Sequence, residues 1–125
     1  MVDQPNKVLL VDDNEDVLKT ITMYLERKNY QVRPFTNGLE ALEIFDSEKG
    51  DFDLLVTDLV MPGISGVGII SIVKEKYPQV PIIAITGWGQ PLEALAAEEK
   101  ADIVLTKPFE LALFNRIIQN LLSKG

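Results

Sequence analysis

The sequence contains no cysteine and no histidine among its 125 residues. The absence of cysteine excludes disulfide bonds, thiolate metal sites and cysteine nucleophiles. The absence of histidine removes the commonest general base and every imidazole metal ligand. Any bound metal must therefore be held by oxygen atoms, and such a ligand set favours Mg²⁺ or Ca²⁺ over zinc.

The sequence also has no long apolar run and little positive charge. No run is long enough to cross a bilayer, and Met1–Lys7 lacks the apolar core of a signal peptide, so we expect a cytoplasmic protein without membrane association. Its 12 Lys and Arg residues against 19 Asp and Glu residues give a net charge of −7. Because an acidic surface repels phosphate backbones, we expect no direct nucleic-acid binding.

Five short apolar runs alternate with stretches of helical periodicity. Four runs rich in Val, Ile and Leu indicate strands buried on both faces of a parallel sheet, whereas the more polar second run indicates an edge strand. The runs are Lys7–Val11, Gln31–Phe35, Leu54–Thr57, Ile82–Ile85 and Ile103–Leu105. The predicted helices are Glu15–Lys28 with Asn14 as N-cap, Asn37 to about Phe45, Val67–Lys76, Leu92–Glu99 and Glu110–Leu122. This order predicts a single (βα)₅ domain, a three-layer α/β sandwich with its core over about residues 7–122.

Polar side chains follow every predicted strand, but the second strand leads only into Thr36 and into nothing ionisable. In an open parallel sheet, ligands bind at the carboxyl ends of the strands. The first strand leads into Asp12 and Asp13 and the third into Asp58, while Thr86 follows the fourth and Lys107 lies just beyond the fifth. Three carboxylates, one hydroxyl and one ammonium are therefore expected at one edge of the sheet.

This combination of side chains predicts a cation site. Each residue alone is typical of a turn, a helix cap or a solvated surface. Three carboxylates repel one another, however, and one ammonium cannot neutralise them, so Mg²⁺ is the expected ion. Such a site suits phosphoryl transfer, because the metal, the ammonium and the hydroxyl can all stabilise phosphoryl oxygens. A carboxylate can itself accept the phosphoryl group without a general base.

Four segments of the chain resemble the receiver domains of two-component response regulators. They follow one another in the family's order, from Val8 to about Leu122, and are Val8–Asp13, Asp58–Gly63 followed by Gly66, Thr86–Gly87 and Lys107–Phe109. The resemblance implies a flavodoxin-like fold with strand order 2-1-3-4-5. It covers the chain as one receiver domain and leaves no output domain within these residues.

The resemblance implies a phosphoacceptor and a metal site. Asp58 is expected to accept a phosphoryl group from the phosphohistidine of a sensor histidine kinase or a histidine phosphotransfer protein. Asp13 and Asp58 are expected to bind Mg²⁺ directly, with Mn²⁺ as a substitute, while Asp12 acts largely through water. The backbone carbonyl of Val60 is expected to complete the protein's share of the coordination.

The resemblance also implies a switch. Lys107, preceding a cis bond to Pro108, is expected to pair with the phosphoryl oxygens, and Thr86 to bond to them and draw its loop inward. Val104 stands where the family often has Tyr or Phe, so we expect a smaller displacement than an aromatic rotation would give. Trp88 either shields the phosphoryl group from water or covers apolar surface.

The expected output surface comprises the fourth predicted helix, the fifth strand and the fifth predicted helix. On this interpretation the surface controls an unknown output partner or effector domain. The resemblance leaves room for a phosphorylation-dependent homodimer. The domain would then be a signalling module rather than an enzyme, although it assists its own phosphorylation and dephosphorylation.

Three other functions fit the sequence less well. A Mg²⁺-dependent phosphohydrolase that forms an aspartyl phosphate usually carries Asp-x-Asp after its first strand, whereas Asp12 and Asp13 are adjacent here. A degenerate receiver that only mediates contacts is disfavoured by the complete set of acidic, hydroxyl and ammonium residues. A flavin carrier of the same fold is disfavoured because the acidic loop after the first strand repels phosphate in the absence of a metal.

Overall fold

The structure is a computed structural model that describes residues 5–59, 61, 66–87 and 100–123. Five parallel strands form one sheet. They are β1 (Lys7–Val11), β2 (Gln31–Phe35), β3 (Leu54–Asp58), β4 (Ile82–Thr86) and β5 (Ile103–Thr106). The strand order β2-β1-β3-β4-β5 confirms the expected topology and places β2 at an edge, as its polar sequence predicted.

The helices of the described residues match four of the five predicted ones. They are α1 (Glu15–Arg27), α2 (Gly38–Ser47), α3 (Gly66–Lys76) and α4 (Leu111–Ser123). Helix α4 is the fifth helix of the sequence prediction, because the helix predicted over Leu92–Glu99 lies outside the described residues. None of the described helices is long and apolar enough to cross a bilayer.

Asparagine side chains begin the first two helices. The side chain of Asn14 accepts a hydrogen bond from the amide of Val17, as the sequence predicted. The side chain of Asn37 accepts from the amides of Leu39 and Glu40. An asparagine N-cap stabilises a helix by about 1 kcal/mol relative to alanine. These caps determine where the chain turns after β1 and β2.

The sheet carries an apolar layer on each face. Residues alternate along β1, so that Leu9 and Val11 pack towards α2 and α3 whereas Val8 and Leu10 pack towards α1 and α4. All side chains of the central strands β3 and β4 are buried. Since a buried aliphatic side chain contributes about 1.5–3 kcal/mol, the two layers hold the strand ends firmly in place. The three-layer sandwich is confirmed.

Strand β5 is less buried than its sequence predicted. Within the predicted run only Leu105 is buried, while Val104 is exposed. The prediction of burial on both faces is therefore wrong for this run. Strand β5 is an edge strand and pairs with β4. Apolar, β-branched sequence indicates a strand but does not distinguish an outer strand from a central one.

Candidate functional site

The candidate site lies at the carboxyl ends of β1, β3 and β4. Strands β3 and β4 each extend one residue further than predicted, so Asp58 and Thr86 belong to the sheet itself. Asp58 is in register with Ile85, whose carbonyl accepts a hydrogen bond from the amide of Leu59 at 3.0 Å. Pairing in the sheet fixes the backbone of these residues, so their side chains project from rigid positions.

The three predicted carboxylates lie together at this edge. Asp12, Asp13 and Asp58 each offer one oxygen, and these three oxygens all lie within 4.8 Å of one another. Asp12 is fully buried and Asp58 is nearly so, whereas Asp13 is exposed. Like charges at such distances repel unless cations lie between or beside them. The arrangement therefore has the donor chemistry of a site for a hard divalent cation.

Lys107 supplies one positive charge to this cluster. Its Nζ lies 2.9 Å from Asp58 Oδ2 and 3.3 Å from Asp12 Oδ2. Its amide donates to the carbonyl of Thr86 at 2.8 Å, which fixes the start of the loop after β5. The Lys107–Pro108 peptide bond is cis, as the family resemblance implied. The ammonium thus bridges carboxylates from two other strands.

Burial and charge change the proton affinity of two of these groups. Burial raises the pKa of the Asp12 carboxyl, and this effect outweighs the hydrogen bond from the Asn14 amide and the nearby Lys107 charge. For Lys107, partial burial lowers the pKa. The hydrogen bond to Asp58 and the charges of Asp12 and Asp58 raise the pKa by more than burial lowers it. The net pKa of Lys107 lies above its ordinary value, so it is a cation at neutral pH.

The other predicted site residues have different positions. Thr86 is buried at the end of β4, beside Thr106 of β5 in the sheet register. Val104 on β5 is 37% exposed, so it occupies no enclosed pocket. Val60 and Trp88 lie outside the described residues, and their contributions to the site stay predictions.

Two residues to which the sequence analysis assigned no role, Thr57 and Gly66, shape the backbone around Asp58. The hydroxyl of Thr57 is fully buried and donates to the main-chain oxygen of Asp58 at 2.9 Å. A Cβ atom on Gly66 would lie 1.8 Å from that same oxygen, so glycine allows α3 to begin against the end of β3. A glycine at the start of a predicted helix was the available signal. Thr57 gave none, because threonine is a common strand residue.

An apolar groove of about 470 Å³ opens beside Lys107. It lies between α1 and the segment that joins β5 to α4. It is lined by Asp16, Val17, Thr20, Ile21, Lys107, Pro108, Phe109 and Leu111. The Phe109 ring lies 5.4 Å from that of the buried Phe114, centroid to centroid, which anchors one wall in the core. The groove shares Lys107 with the carboxylate cluster and so adjoins it directly.

Comparison with known proteins identifies the family. Residues 8–119 match the response regulator receiver domain family. Regulatory protein VanR of Enterococcus faecium is 34% identical over 114 residues, which cover 90% of this chain and 48% of that protein. The chain thus spans about half the length of this relative.

Solved structures agree in fold over nearly the whole chain. A response regulator receiver domain protein from Clostridium thermocellum has a TM-score of 0.86 at 30% identity, with 95% of each chain covered. Response regulator protein TrrA from Thermotoga maritima, in complex with Mg(2+)-BeF, has a TM-score of 0.83 at 28% identity and covers 93% of this chain and 98% of its own. The family match, the relative and the shared fold show that this chain belongs to the response regulator receiver domains, the signalling domains of two-component systems.

Proposed function

We propose that this domain is a phosphorylation-controlled switch in which Asp58 accepts a phosphoryl group from a phosphohistidine. One observation carries the proposal. The Asp58 carboxylate stands at the end of β3, 2.9 Å from Lys107 Nζ and within 4.8 Å of oxygens of Asp12 and Asp13. The Asp58 side chain is 10% exposed, whereas that of Asp12 is 0% exposed, so a donor reaches Asp58 more readily.

The transfer uses the carboxylate as the nucleophile. An oxygen of Asp58 forms a bond to phosphorus while the phosphorus–nitrogen bond of the donor breaks. The electron pair of that bond stays on the ring nitrogen, and the donor leaves as neutral imidazole when its other nitrogen is protonated. A carboxylate nucleophile needs no general base, which accords with a sequence that has no histidine. Lys107, and the Thr86 hydroxyl from β4, would then bind the phosphoryl oxygens.

The described carboxylates fit Mg²⁺, with Mn²⁺ as a substitute for the same oxygen ligands. When bound, the ion supplies charge neutralisation to the phosphoryl group and the carboxylates. The exposed Asp13 and the phosphoacceptor Asp58 would ligate it directly. Asp12 would act through water, since its Oδ1 already accepts the Asn14 amide and its Oδ2 accepts Lys107.

Two further points bear on the metal site. The carbonyl of Val60 is the remaining proposed protein ligand, although it lies outside the described residues. The similar structure of TrrA is in complex with Mg(2+)-BeF, which supports a magnesium site beside the phosphoacceptor in this chain as well.

The geometry disfavours the phosphohydrolase alternative. In such an enzyme the nucleophile would follow the first strand, at the position of Asp12. Asp12 is fully buried, and both of its oxygens accept hydrogen bonds. A carboxylate held in this way is suited to positioning its neighbours rather than to attacking a substrate.

The phosphoryl donor would be a sensor histidine kinase or a histidine phosphotransfer protein. Its phosphohistidine must reach Asp58, so its surface must cover the part of the domain next to the site. The apolar groove between α1 and the β5–α4 segment adjoins the site at Lys107, and its volume of about 470 Å³ offers room for apolar side chains of a donor. We therefore assign the donor's docking surface to this groove.

The output would pass through the surface that includes β5 and α4. Thr86 and Lys107 lie at the ends of adjacent strands, and binding of both to a phosphoryl group would draw those ends together. Exposed apolar side chains, Val104 on β5 and Leu113 on α4, lie on the elements that would carry this change outward. An effector domain, a separate partner or a second receiver domain would be the recipient.

The proposal is tested by incubating the protein with acetyl phosphate and Mg²⁺, followed by intact-mass measurement and mapping of the modified residue. We expect the mass of one phosphoryl group to be added at Asp58. Asp58→Asn should keep the fold and lose the modification. Modification of the Asn variant at the wild-type rate would overturn the assignment, and a wild-type protein that is never modified would favour a degenerate receiver.

A further inference from the structure

We propose that the buried hydroxyl of Thr57 is a positioning group for the phosphoacceptor, acting through the main-chain carbonyl of Asp58. The inference rests on the proposed function, since it concerns how well Asp58 is placed to accept a phosphoryl group. Thr57 precedes Asp58 on β3 and is fully buried. Its Oγ1 donates to the Asp58 carbonyl at 2.9 Å.

Pairing with β4 holds one side of this peptide group. The amide of Leu59 donates to the Ile85 carbonyl at 3.0 Å, on the β4 side. Because a trans peptide places its C=O and N–H on opposite sides, the Asp58 carbonyl points away from β4 and towards β1. The β1–β3 register, however, ends at Val11 and Thr57, one residue before Asp58. The Thr57 hydroxyl therefore bonds to this carbonyl just where the pairing between the two strands ends.

The start of helix α3 packs against the same carbonyl. The backbone of Gly66 approaches so closely that a Cβ there would lie 1.8 Å from the Asp58 oxygen and 2.7 Å from its carbonyl carbon. The Asp58–Leu59 peptide is thus fixed by Ile85, by the Thr57 hydroxyl and by the start of α3. A peptide plane that cannot rotate fixes the direction of the Asp58 Cα–Cβ bond. That direction aims the carboxylate at Lys107 and at an incoming phosphorus atom.

The side chain of Thr57 offers a clean test because its hydroxyl and methyl can be removed separately. Thr57→Val keeps the shape and removes the hydroxyl, whereas Thr57→Ser keeps the hydroxyl and removes the methyl. Thr22→Val on α1 is a matched control, since the Thr22 hydroxyl is also buried and has no hydrogen-bond partner within the described part of the chain. A small misplacement of a reacting group slows a reaction by about ten- to a hundredfold.

The experiment measures the rate of Asp58 phosphorylation by acetyl phosphate at saturating Mg²⁺, far below the unfolding temperature of each variant. We expect Thr57→Val to be slower by at least about tenfold. Thr57→Ser and Thr22→Val should stay within about twofold of wild type, because each leaves the hydrogen bond to Asp58 in place. Loss of stability alone would not produce this pattern, because every protein is folded at the temperature of measurement.

Any other pattern of rates among the folded variants decides against the inference. A wild-type rate for Thr57→Val would show that the hydroxyl does not position Asp58. An equally slow Thr57→Ser would assign the effect to packing of the methyl group. If Thr57→Val does not fold, the pair Thr57→Ala and Thr57→Ser makes the same comparison, since both lack the methyl. A wild-type protein that gains no phosphoryl group would overturn the proposed function itself, and this inference with it.

Discussion

The ammonium of Lys107 lies 2.9 Å from the carboxylate of Asp58, and this contact joins the ends of two strands that are not neighbours in the sheet. Asp58 ends β3, whereas Lys107 follows β5, with β4 between them. The same ammonium lies 3.3 Å from Asp12, which follows β1. The contact therefore ties both halves of the sheet edge together before any phosphoryl group arrives. Phosphorylation would offer Lys107 a new, more highly charged partner.

The first prediction concerns this ammonium. Lys107→Ala should slow phosphorylation by acetyl phosphate by about ten- to a hundredfold, because it removes a cation that stabilises the transferring oxygens. The measurement is the rate of mass gain at saturating Mg²⁺. Lys19→Ala, at an exposed lysine of α1, is the control and should behave as wild type. An unchanged rate in Lys107→Ala would remove Lys107 from the transfer step.

The second prediction concerns metal binding. Mg²⁺ or Mn²⁺ should stabilise the wild-type protein against thermal unfolding, by about 2.7 kcal/mol at a concentration one hundred times the dissociation constant. Asp13→Ala should abolish this stabilisation, since it removes the exposed carboxylate of the cluster. Trp88, the only tryptophan of the sequence, follows Thr86 by two residues, so we expect its fluorescence to report the titration. A wild-type protein insensitive to every divalent ion would contradict the site.

The third prediction concerns pH in the presence of a chelator. Burial raises the pKa of Asp12 above its ordinary 3.8, so the folded chain binds this proton more tightly than the unfolded chain. The associated stability is fully present below pH 3.8 and is lost as the pH rises through the raised folded pKa. At neutral pH, Asp12→Asn should therefore unfold at a higher temperature than wild type. The difference in unfolding temperature between Asp12→Asn and wild type should shrink on acidification. A difference that stays constant with pH would contradict the prediction.

The sequence predicted most of the fold because its signals were local. Short apolar runs separated by helical periodicity located all five strands, and Asn14 marked the start of α1. The carboxylate cluster was predictable for a topological reason, since the carboxyl ends of parallel strands share one edge. What the sequence did not reveal depends on tertiary distances. The exposure of Val104 and the bond from Thr57 to Asp58 follow from neighbours that composition and periodicity do not specify.

The fourth prediction concerns the close approach of α3 to β3. Gly66→Ala should destabilise the fold by about 2–3 kcal/mol, because its Cβ would overlap the Asp58 carbonyl and the helix would have to shift. Denaturant unfolding measures the loss. The folded fraction of this variant should also be phosphorylated more slowly, since the shift would move the phosphoacceptor. Wild-type stability would show that the start of α3 adjusts without moving β3.

The fifth prediction concerns output. Beryllofluoride, a phosphoryl mimic, should bind at Asp58 in the presence of Mg²⁺ and change amide hydrogen exchange over Thr86–Asp102. A bound group shifts the balance between two conformations of the domain only if it interacts differently with each of them. Here the difference is the new bonding of the phosphoryl mimic to Thr86 and Lys107. Val104 lacks the ring needed for a large rotation and is exposed on β5, so the change should be modest and carried by the segment after β4.

Two variants of Thr86 make this test specific. Thr86→Ala removes the hydroxyl and should lose the protection changes while still binding beryllofluoride, whereas Thr86→Ser keeps the hydroxyl and should retain them. Because Thr86 ends β4 and is in register with Thr106, its movement should reach β5 before any other strand. Exchange that alters chiefly in α1 and α2 would assign the output to the opposite edge of the sheet. Changes that persist in Thr86→Ala would assign the switch to Lys107 alone.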